Sequence, residues 1–546
     1  MTKIRTTEQT QQQASMVRGL AWLTAGNFIS RLIGIAYIIP WYLWMGSHRA
    51  EANGLFNMGY QVYGNFLLIS TVGLPTAVAK QIAKYNVQGR QDISYYLVRE
   101  FFKLMLILGA VFAGVMFISS PTLAELSGVK EQLTPVMYSL VPPLFIFPAM
   151  SIMRGFFQGH HDMKPYAISQ IVEQIARVIW ILVTTFYIMK LGSGDYLSAV
   201  IQSTFAAFIG MIASFGVLVY SLHKEGFIAK VIGAKPKDVT IDLKPLVLET
   251  LKEAVPLIIL GSAIQIFQII DQLTFINTLL GITDLTRTEL LKLSTYMTAN
   301  PSKITMLIIG ITTSIGSVAI PMITERFVQK DQKKTADLII DNIQLFFLLI
   351  LPAIVGSVVL ARPLYSVFYG PVEDQAIYLF VINLLLVFIQ GLYSLLGVII
   401  QAIFQNRKAM LYFFIGFAVK LVFQFPALYL FKVYGPLVST AVALTVSVVL
   451  FDRRIDQIIP IPQARLRKNF HQVLGISLIM GLGVWLVETG IGLVFPATGY
   501  LSSAIHVSIA GFVGIFIFGI LTLKTRHLDR LIGNRAAILR KKLHIS

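Results

Sequence analysis

Six charged residues of this chain, Arg31, Glu173, Arg177, Asp271, Lys303 and Lys420, sit inside stretches that are otherwise apolar. In a low-dielectric setting such charges cost roughly 2.5–3.5 kcal/mol each when unpaired, so each should face a wet cavity or a partner. Arg31 stands in Asn27-Phe-Ile-Ser-Arg-Leu-Ile-Gly34, and Asn27 and Arg31, four apart, share one helical face. A guanidinium can grip a phosphate through two parallel N–H bonds. The competing reading is a side chain that snorkels to the surface, and Arg31 lies too deep in its stretch to do so easily. Lys303, in Asn300-Pro-Ser-Lys303, is a second cation that could meet an anion or reach outward. Asp271, between Gln268 and Gln272, could carry a coupling proton or cation, or neutralise Arg31 or Lys303. Glu173 and Arg177 are four apart and can pair with each other. Asn57, Gln61 and Asn65 recur every four residues as a polar stripe, which lipid would penalise and a wet cavity would accept. Lys420 has no partner that spacing alone identifies.

The elements that must hold these residues are long apolar helices. About fourteen stretches have the ~20 apolar residues that cross a bilayer, including 16–45, 54–75, 133–153, 246–280 and 296–321. With the N-terminus placed in the cytoplasm, the connections alternate in charge. Of 45 Lys and Arg, 34 fall in cytoplasmic segments, seven in the opposite connections and four inside spans. That bias is the positive-inside rule, and it predicts an even number of spans with both termini cytoplasmic. Several spans are broken by Gly or Pro, as at Pro40, at Pro142 with Pro143, and at Pro426, which suits either simple kinks or bending elements.

Composition excludes other classes. Only 13% of the 546 residues are charged and 55% are hydrophobic, against roughly 25% charged in soluble domains. The net charge of +18 would suggest nucleic acid in a soluble protein. Here it is spent in cytoplasmic connections that face anionic phospholipids, so no nucleic-acid partner is expected. There is no cysteine, so neither a thiolate metal site nor a cysteine nucleophile. No phosphate-binding loop, dinucleotide fingerprint or zinc helix is present, and His160-His161 reads as a solvated loop. No metal and no cofactor are expected beyond a coupling cation (H⁺ or Na⁺) or the membrane potential.

The layout reads as residues 1–15, a cytoplasmic segment; 16–222, a six-span N-terminal lobe; 223–245, a basic linker; and 246–450, a second six-span lobe. A basic loop at 451–470, two further spans at 471–523 and a basic tail at 524–546 complete it. The tail has apolar residues at roughly helical spacing among its Arg and Lys, which predicts a helix lying in the inner interface. A weak repeat relates the lobes. Gln158 and Met163 are offset from Gln405 and Met410 by the same 247 residues, which sets Glu173 opposite Lys420 and Arg177 opposite Gln424. Paired halves of this kind are frequent in secondary transporters.

Arg154-Gly-Phe-Phe-Gln-Gly-His160, followed by Met163, Pro165, Ser169-Gln-Ile-Val-Glu-Gln174 and Arg177, closely resembles the polysaccharide-exporter flippases of Gram-positive bacteria. Ile29-Ser-Arg-Leu-Ile-Gly34, Tyr37-Ile-Ile-Pro40 and Gly73-Leu-Pro-Thr-Ala-Val-Ala-Lys80 are similar to the same family. Within it the chain is most similar to MurJ-type lipid II flippases, part of the multidrug/oligosaccharidyl-lipid/polysaccharide superfamily.

The resemblance implies an all-α membrane protein with two six-helix lobes in a V around a cationic cavity, plus two C-terminal helices that groove a polyprenyl tail. It implies a transporter and not an enzyme, flipping a lipid-linked cell-wall precursor, lipid II first among them, by alternating access in the plasma membrane. The family's first-span Ser-Arg-x-x-Gly maps onto Ser30, Arg31 and Gly34. Its Gram-negative branch carries a further first-span Arg where this chain has Tyr37, and an eighth-span Arg for which Lys303 is only a nearby candidate. Substrate-binding candidates are therefore Arg31, Asn27, Lys303, Gln61 and Asn65; Asp271, Glu173 and Arg177 are candidates for coupling or charge balance. Flippases for teichoic-acid or other polysaccharide precursors, a cation-coupled multidrug antiporter and a scaffold for cell-wall synthesis enzymes are the other readings. Arg31 and Lys303 favour an anionic cargo over a cationic drug, and the polar stripe argues against a scaffold, which needs no wet interior.

Overall fold

The computed structural model describes residues 29–30, 33–34, 37–71, 74–160, 162–234, 255–256, 258–371, 373–527, 529 and 534–542. Asn27 and Arg31 lie outside the described residues, as does 235–245 of the expected linker. Among the described residues the chain is helical throughout, with no strand. Backbone groups inside a bilayer must be satisfied within the segment, which the helix does.

The chain divides into two compact units, Met1–Ile258 and Ile259–Ser546. The first contains α1 (Ile38–Met45), α2 (Arg49–Thr71), α3 (Leu74–Val87), α4 (Gln91–Leu126), α5 (Lys130–Ser139), α6 (Val141–Gly159), α7 (Lys164–Phe186), α8 (Tyr196–Lys224) and the short α9 (Phe227–Ile232). The second contains α10 (Ala263–Leu280), α11 (Arg287–Ser294), α12 (Asn300–Val328), α13 (Gln332–Val359), α14 (Ala361–Tyr369), α15 (Asp374–Ala402), α16 (Asn406–Phe431), α17 (Gly435–Ile458), α18 (Gln463–Val494), α19 (Tyr500–Lys524) and α20 (Asn534–Lys542).

Eleven helical stretches among the described residues are long and apolar enough to cross a membrane. One of them, Asn406–Ile458, is two helices, since α16 turns into α17 at Lys432, whose φ is 50°. The polar second span, α2, falls outside the eleven because of its Asn and Gln content, and most of the first span is not described. With these, the tally is close to the expected fourteen.

Several expected boundaries move. The apolar stretch at 133–153 is two helices that meet at Leu140, because Pro142 and Pro143 bring no N–H to continue the ladder and instead open α6 as its first-turn residues. The same helix runs on to Gly159, past the end that hydropathy gave it. The expected 54–75 span starts earlier, at Arg49, and ends at Thr71. At 36 residues, α4 is about 54 Å long, more than the ~30 Å hydrocarbon core. Its first turns, with Asp92, Arg99, Glu100 and Lys103, are therefore free to lie beyond the hydrocarbon. Asp195 caps α8 by accepting from the backbone N–H groups of Leu197 and Ser198, at 3.1 Å each.

Each unit packs its repeat-related helix tightly against the next: α7 lies along α8, and α16 along α17. Glycines permit the approach. A Cβ on Gly210 of α8 would stand 2.7 Å from the Glu173 carbonyl, and one on Gly416 of α16 would meet the Ala443 carbonyl at 2.9 Å. In the second unit α18 and α19 pack on α13 and α14 through Leu360, Met480, Val484 and Ala510, while Phe512 and Ile515 remain exposed, a face suited to lipid. The tail helix α20 is tied back by Arg540, which forks onto the Asp529 carboxylate and donates to the Leu523 carbonyl at 3.2 Å. Its Ile538 and Leu539 stay exposed.

Candidate functional site

In the first unit, α6 and α7 bring charge together. Glu173 of α7 accepts from Arg154 of α6 at 2.7 Å and from Arg177, one turn along α7, at 3.0 Å. Arg154 is held further: its Nε donates to Ser169 Oγ at 3.2 Å, its Nη2 also reaches Ser214 Oγ on α8 at 2.9 Å, and its guanidinium lies over the Tyr166 ring. Its side chain is 8% exposed against 21% for Arg177. The Arg177 Nε finds no protein acceptor, and the buried hydroxyls of Tyr60 and Tyr63 on α2 are likewise without one. Two guanidiniums share one carboxylate here, so the cluster keeps a surplus positive charge; the unpaired Arg177 Nε is buried, and the side chain as a whole is 21% exposed. A fixed, partly desolvated guanidinium with spare N–H capacity can bind an oxyanion.

Along α2 the stripe Asn57, Gln61 and Asn65 is half-buried, while the neighbouring Leu55, Met58 and Val62 are in the core. The stripe therefore lies on the face of α2 that the unit itself does not cover. Asn65 donates back to the Gln61 carbonyl at 2.8 Å, which leaves its own carbonyl oxygen available. Gly34 of the first span abuts Gln174, next to Glu173, since a Cβ there would stand 2.9 Å from Gln174 Nε2.

In the second unit Asp271 of α10 meets Lys420 of α16 at 2.5 Å, with 7% and 0% of their side chains exposed. Ser439 and Thr440, on the first turns of α17, each lie 2.8 Å from Lys420 Nζ, and the Pro436 carbonyl is 3.2 Å away. Gln424, one turn beyond Lys420, donates to Asp271 at 3.0 Å and to Thr274 at 2.8 Å. The counter-ion of Asp271 among the described residues is thus Lys420, a partner outside the expected pair of candidates, Arg31 and Lys303. Lys303 is half-buried on the first turn of α12. Beside it, Asn300 donates to the Tyr365 hydroxyl at 2.5 Å and its carbonyl accepts from Tyr369 at 2.8 Å, which ties that turn to α14.

A family described as polysaccharide biosynthesis protein matches residues 16–327. The lipid II flippase MurJ of Bacillus subtilis is 31% identical over 539 residues, covering 96% of this chain and 97% of that protein. The chain belongs to the MurJ family. Stage V sporulation protein B of the same bacterium is 23% identical over a third of each chain. Among solved structures, a MurJ lipid II flippase in an inward closed conformation superposes with a TM-score of 0.65 at 16% identity, over 92% of this chain and 98% of that one. An inward-facing multidrug MATE transporter superposes at 0.60 over 82% and 96%, at 15% identity. These likenesses show a shared fold. Membership of MurJ makes the chain a multi-pass membrane transporter, not an enzyme.

Two members of these clusters escaped the sequence reading. Arg154 lies just past the apolar stretch that ends at 153, yet the helix extends through it to Gly159 and buries it. Lys420 had no assigned partner. The signals that could have found them were the shared motif spanning Arg154 to Arg177 and the 247-residue offset pointing at Lys420.

Proposed function

We propose that this MurJ-family chain carries lipid II, an undecaprenyl-diphosphate-linked cell-wall precursor, from the inner to the outer leaflet by alternating access. The observation that carries this reading is the end-to-end match to the Bacillus subtilis lipid II flippase, at 31% identity over nearly the whole of both chains. The chemistry agrees. A diphosphate needs cations, and the first unit holds a surplus guanidinium at Arg177 and, in sequence, Arg31 within Ser30-Arg31-x-x-Gly34. Arg31 with Asn27 is assigned to the diphosphate. Lys303 supplies a second cation, and the amides of Gln61 and Asn65 suit sugar hydroxyls. The exposed apolar faces of α18 and α19 suit the polyprenyl tail.

The charge bias of the connections supports both termini in the cytoplasm, and the cell-wall precursor it would carry suits the plasma membrane. The basic tail then meets anionic phospholipids, and the enzymes that make or consume the precursor are the natural protein partners. The membrane potential or a coupling cation drives the cycle. The test is depletion of the chain in its native host with measurement of which lipid-linked precursor collects on the inner leaflet. Lipid II is expected there. Normal delivery of lipid II with accumulation of a teichoic-acid or capsule precursor would overturn the assignment.

A further inference from the structure

Where α18 turns into α19, one histidine faces two acceptors. His506, on the second turn of α19, is fully buried, and its Nε2 lies 2.6 Å from the Phe495 carbonyl at the end of α18. A carbonyl only accepts, so Nε2 carries the hydrogen of that bond. The other ring nitrogen, Nδ1, has no hydrogen-bond partner among the described residues, and the Glu488 carboxylate of α18 stands 3.6 Å from it. Gly492, one turn beyond Glu488, makes room for the ring, since a Cβ there would lie 3.9 Å from His506 Cε1. A neutral imidazole has one N–H and one lone pair, and an ionised carboxylate has lone pairs alone. With Nε2 committed to Phe495, the neutral ring would turn its lone pair toward a carboxylate. One added proton between Nδ1 and Glu488 removes that mismatch.

No fixed cation does so instead. α19 packs on α18, α14, α13 and α20. Glu488 is the only charged residue of α18 beyond Lys468, and His471 lies in the opposite half of that helix. On α14, Arg362 is spent on Asp374, and Tyr365 and Tyr369 are tied to Asn300. α13 has no charged residue after Asp341, and the connection from Phe495 to Gly499 has none. Tyr500 opens α19 and brings a hydroxyl, not a charge. The next cation on α19 is Lys524, about 27 Å along the helix from His506, and the basic α20 is tied to that same end through Leu523.

We propose that His506 and Glu488 form a proton-binding site, and that one proton taken from water ties α19 to the last turns of α18. Uptake converts a pair of net charge −1, neutral imidazole beside carboxylate, into a pair of net charge zero. The proton forms its bond at Nδ1 and no other bond breaks. A neutral, hydrogen-bonded pair costs less to bury than a lone carboxylate, so the bound proton favours the packed arrangement. Without it Glu488, whose side chain is 26% exposed, turns outward to water. Histidine changes charge between about pH 5 and 8, so the tie forms in mild acid and releases as the pH rises. Leu493, Val494 and Leu501 stand exposed around this turn. On the reading that α18 and α19 hold the polyprenyl tail and that both termini are cytoplasmic, the proton comes from outside and tightens the outer end of the groove.

The test measures thermal unfolding of the detergent-purified full chain at about pH 5.5 and about pH 8, toward the two ends of the histidine range, for the wild type, Glu488→Gln and His506→Gln. Glutamine at 488 can donate an amide hydrogen to a bare Nδ1, yet it cannot neutralise an imidazolium. The wild type should therefore unfold above Glu488→Gln in acid and at or below it at the higher pH. His506→Gln keeps the Phe495 bond through its amide and should lose the wild type's extra gain in acid. Histidine ¹⁵N spectra of the same samples read the proton directly: the ring signal that Glu488→Gln displaces should show a hydrogen on Nδ1 in acid and a bare Nδ1 at the higher pH. The proposal is overturned if Glu488→Gln shifts the unfolding temperature equally at both pH values, which is the mark of a packing role, or if Nδ1 stays bare in acid. Should His506→Gln fail to fold, the Glu488→Gln comparison and the spectra decide alone. In detergent both ends of the helices meet one buffer and no cargo is present, so failure of the lipid II assignment or of the orientation leaves these readouts unchanged; the former appears as the wrong precursor in depleted cells.

Discussion

Glu173→Gln tests how the first unit tolerates its charges. The carboxylate bonds Arg154 and Arg177 at 2.7 and 3.0 Å, and glutamine keeps its shape while removing the charge. Charge-assisted hydrogen bonds contribute roughly 1.5–3 kcal/mol each, and leaving a buried charge uncompensated costs about 3–5 kcal/mol. Two features pull the value to the low end. Arg154 retains Ser169 and Ser214 as acceptors, and the more open Arg177 is partly screened by its surroundings. The expected loss is therefore about 3 kcal/mol, read as a lower unfolding temperature of the detergent-solubilised protein and a lower abundance in membranes. Arg154→Met in the same chain removes the stranded cation with its counter-ion and should restore about 1–3 kcal/mol, the size of coupling seen between contacting residues. A loss below about 1 kcal/mol for Glu173→Gln, together with strict additivity in the double variant, would refute the view that this carboxylate holds two buried guanidiniums.

Other substitutions probe separate parts of the chain. Arg31→Ala should abolish complementation of a depleted host while the protein stays inserted and abundant, and Arg31→Lys should rescue poorly because lysine lacks the bidentate fork; full activity of Arg31→Ala would remove it from the phosphate site. Asp195→Ala, which deletes the α8 cap, should cost about 1 kcal/mol. The Ser198 hydroxyl bonded to Asp195 holds its carboxyl below the ordinary value, so this contribution is present above the unfolded-state pKa and fades as pH falls through the folded one; a wild-type advantage over Asp195→Ala that persisted unchanged into strong acid would contradict it. Gly416→Ala puts a methyl against Ser447 and the Ala443 carbonyl and should destabilise by about 1–3 kcal/mol through overpacking of α16 on α17, measured as a drop in unfolding temperature.

What could be read from the sequence was whatever local spacing encodes. Glu173 and Arg177 are one helical turn apart, so their contact followed from the 3.6-residue period alone. Asp271 and Lys420 are 149 residues apart; hydropathy locates both spans, yet nothing in it sets which helices touch or at what height. Arg154 shows a different failure. An apolar window ends where polarity begins, so it stops a span at the first buried arginine, whereas the helix continues because Ser169, Ser214 and Glu173 receive that arginine from two other helices. The break at Leu140 was visible as Pro142 and Pro143, but an apolar run that long gives no sign of which residue ends the first helix. Asn57, Gln61 and Asn65 behaved as their period required, because four-residue spacing fixes a common face whatever the tertiary contacts are.

The two units solve one problem with opposite signs. At the repeat-related position the first unit carries a carboxylate, Glu173, and the second an ammonium, Lys420. In each case the opposing charge comes from a helix outside the tight pair, α6 for Arg154 and α10 for Asp271, and hydroxyls from the paired helix complete the shell: Ser214 in α8, Ser439 and Thr440 in α17. Glycine lets each tight pair close, Gly210 beside Glu173 and Gly416 one turn before Lys420. The register is therefore a place where this architecture can bury charge, and the sign is free to differ. The sign then decides what each cluster has left to offer. With two guanidiniums on one carboxylate, the first cluster keeps an unspent positive charge, shared by Arg154 and Arg177. With one ammonium on one carboxylate, the second cluster is neutral and buried. An anionic cargo would be drawn to the first cluster and ignored by the second.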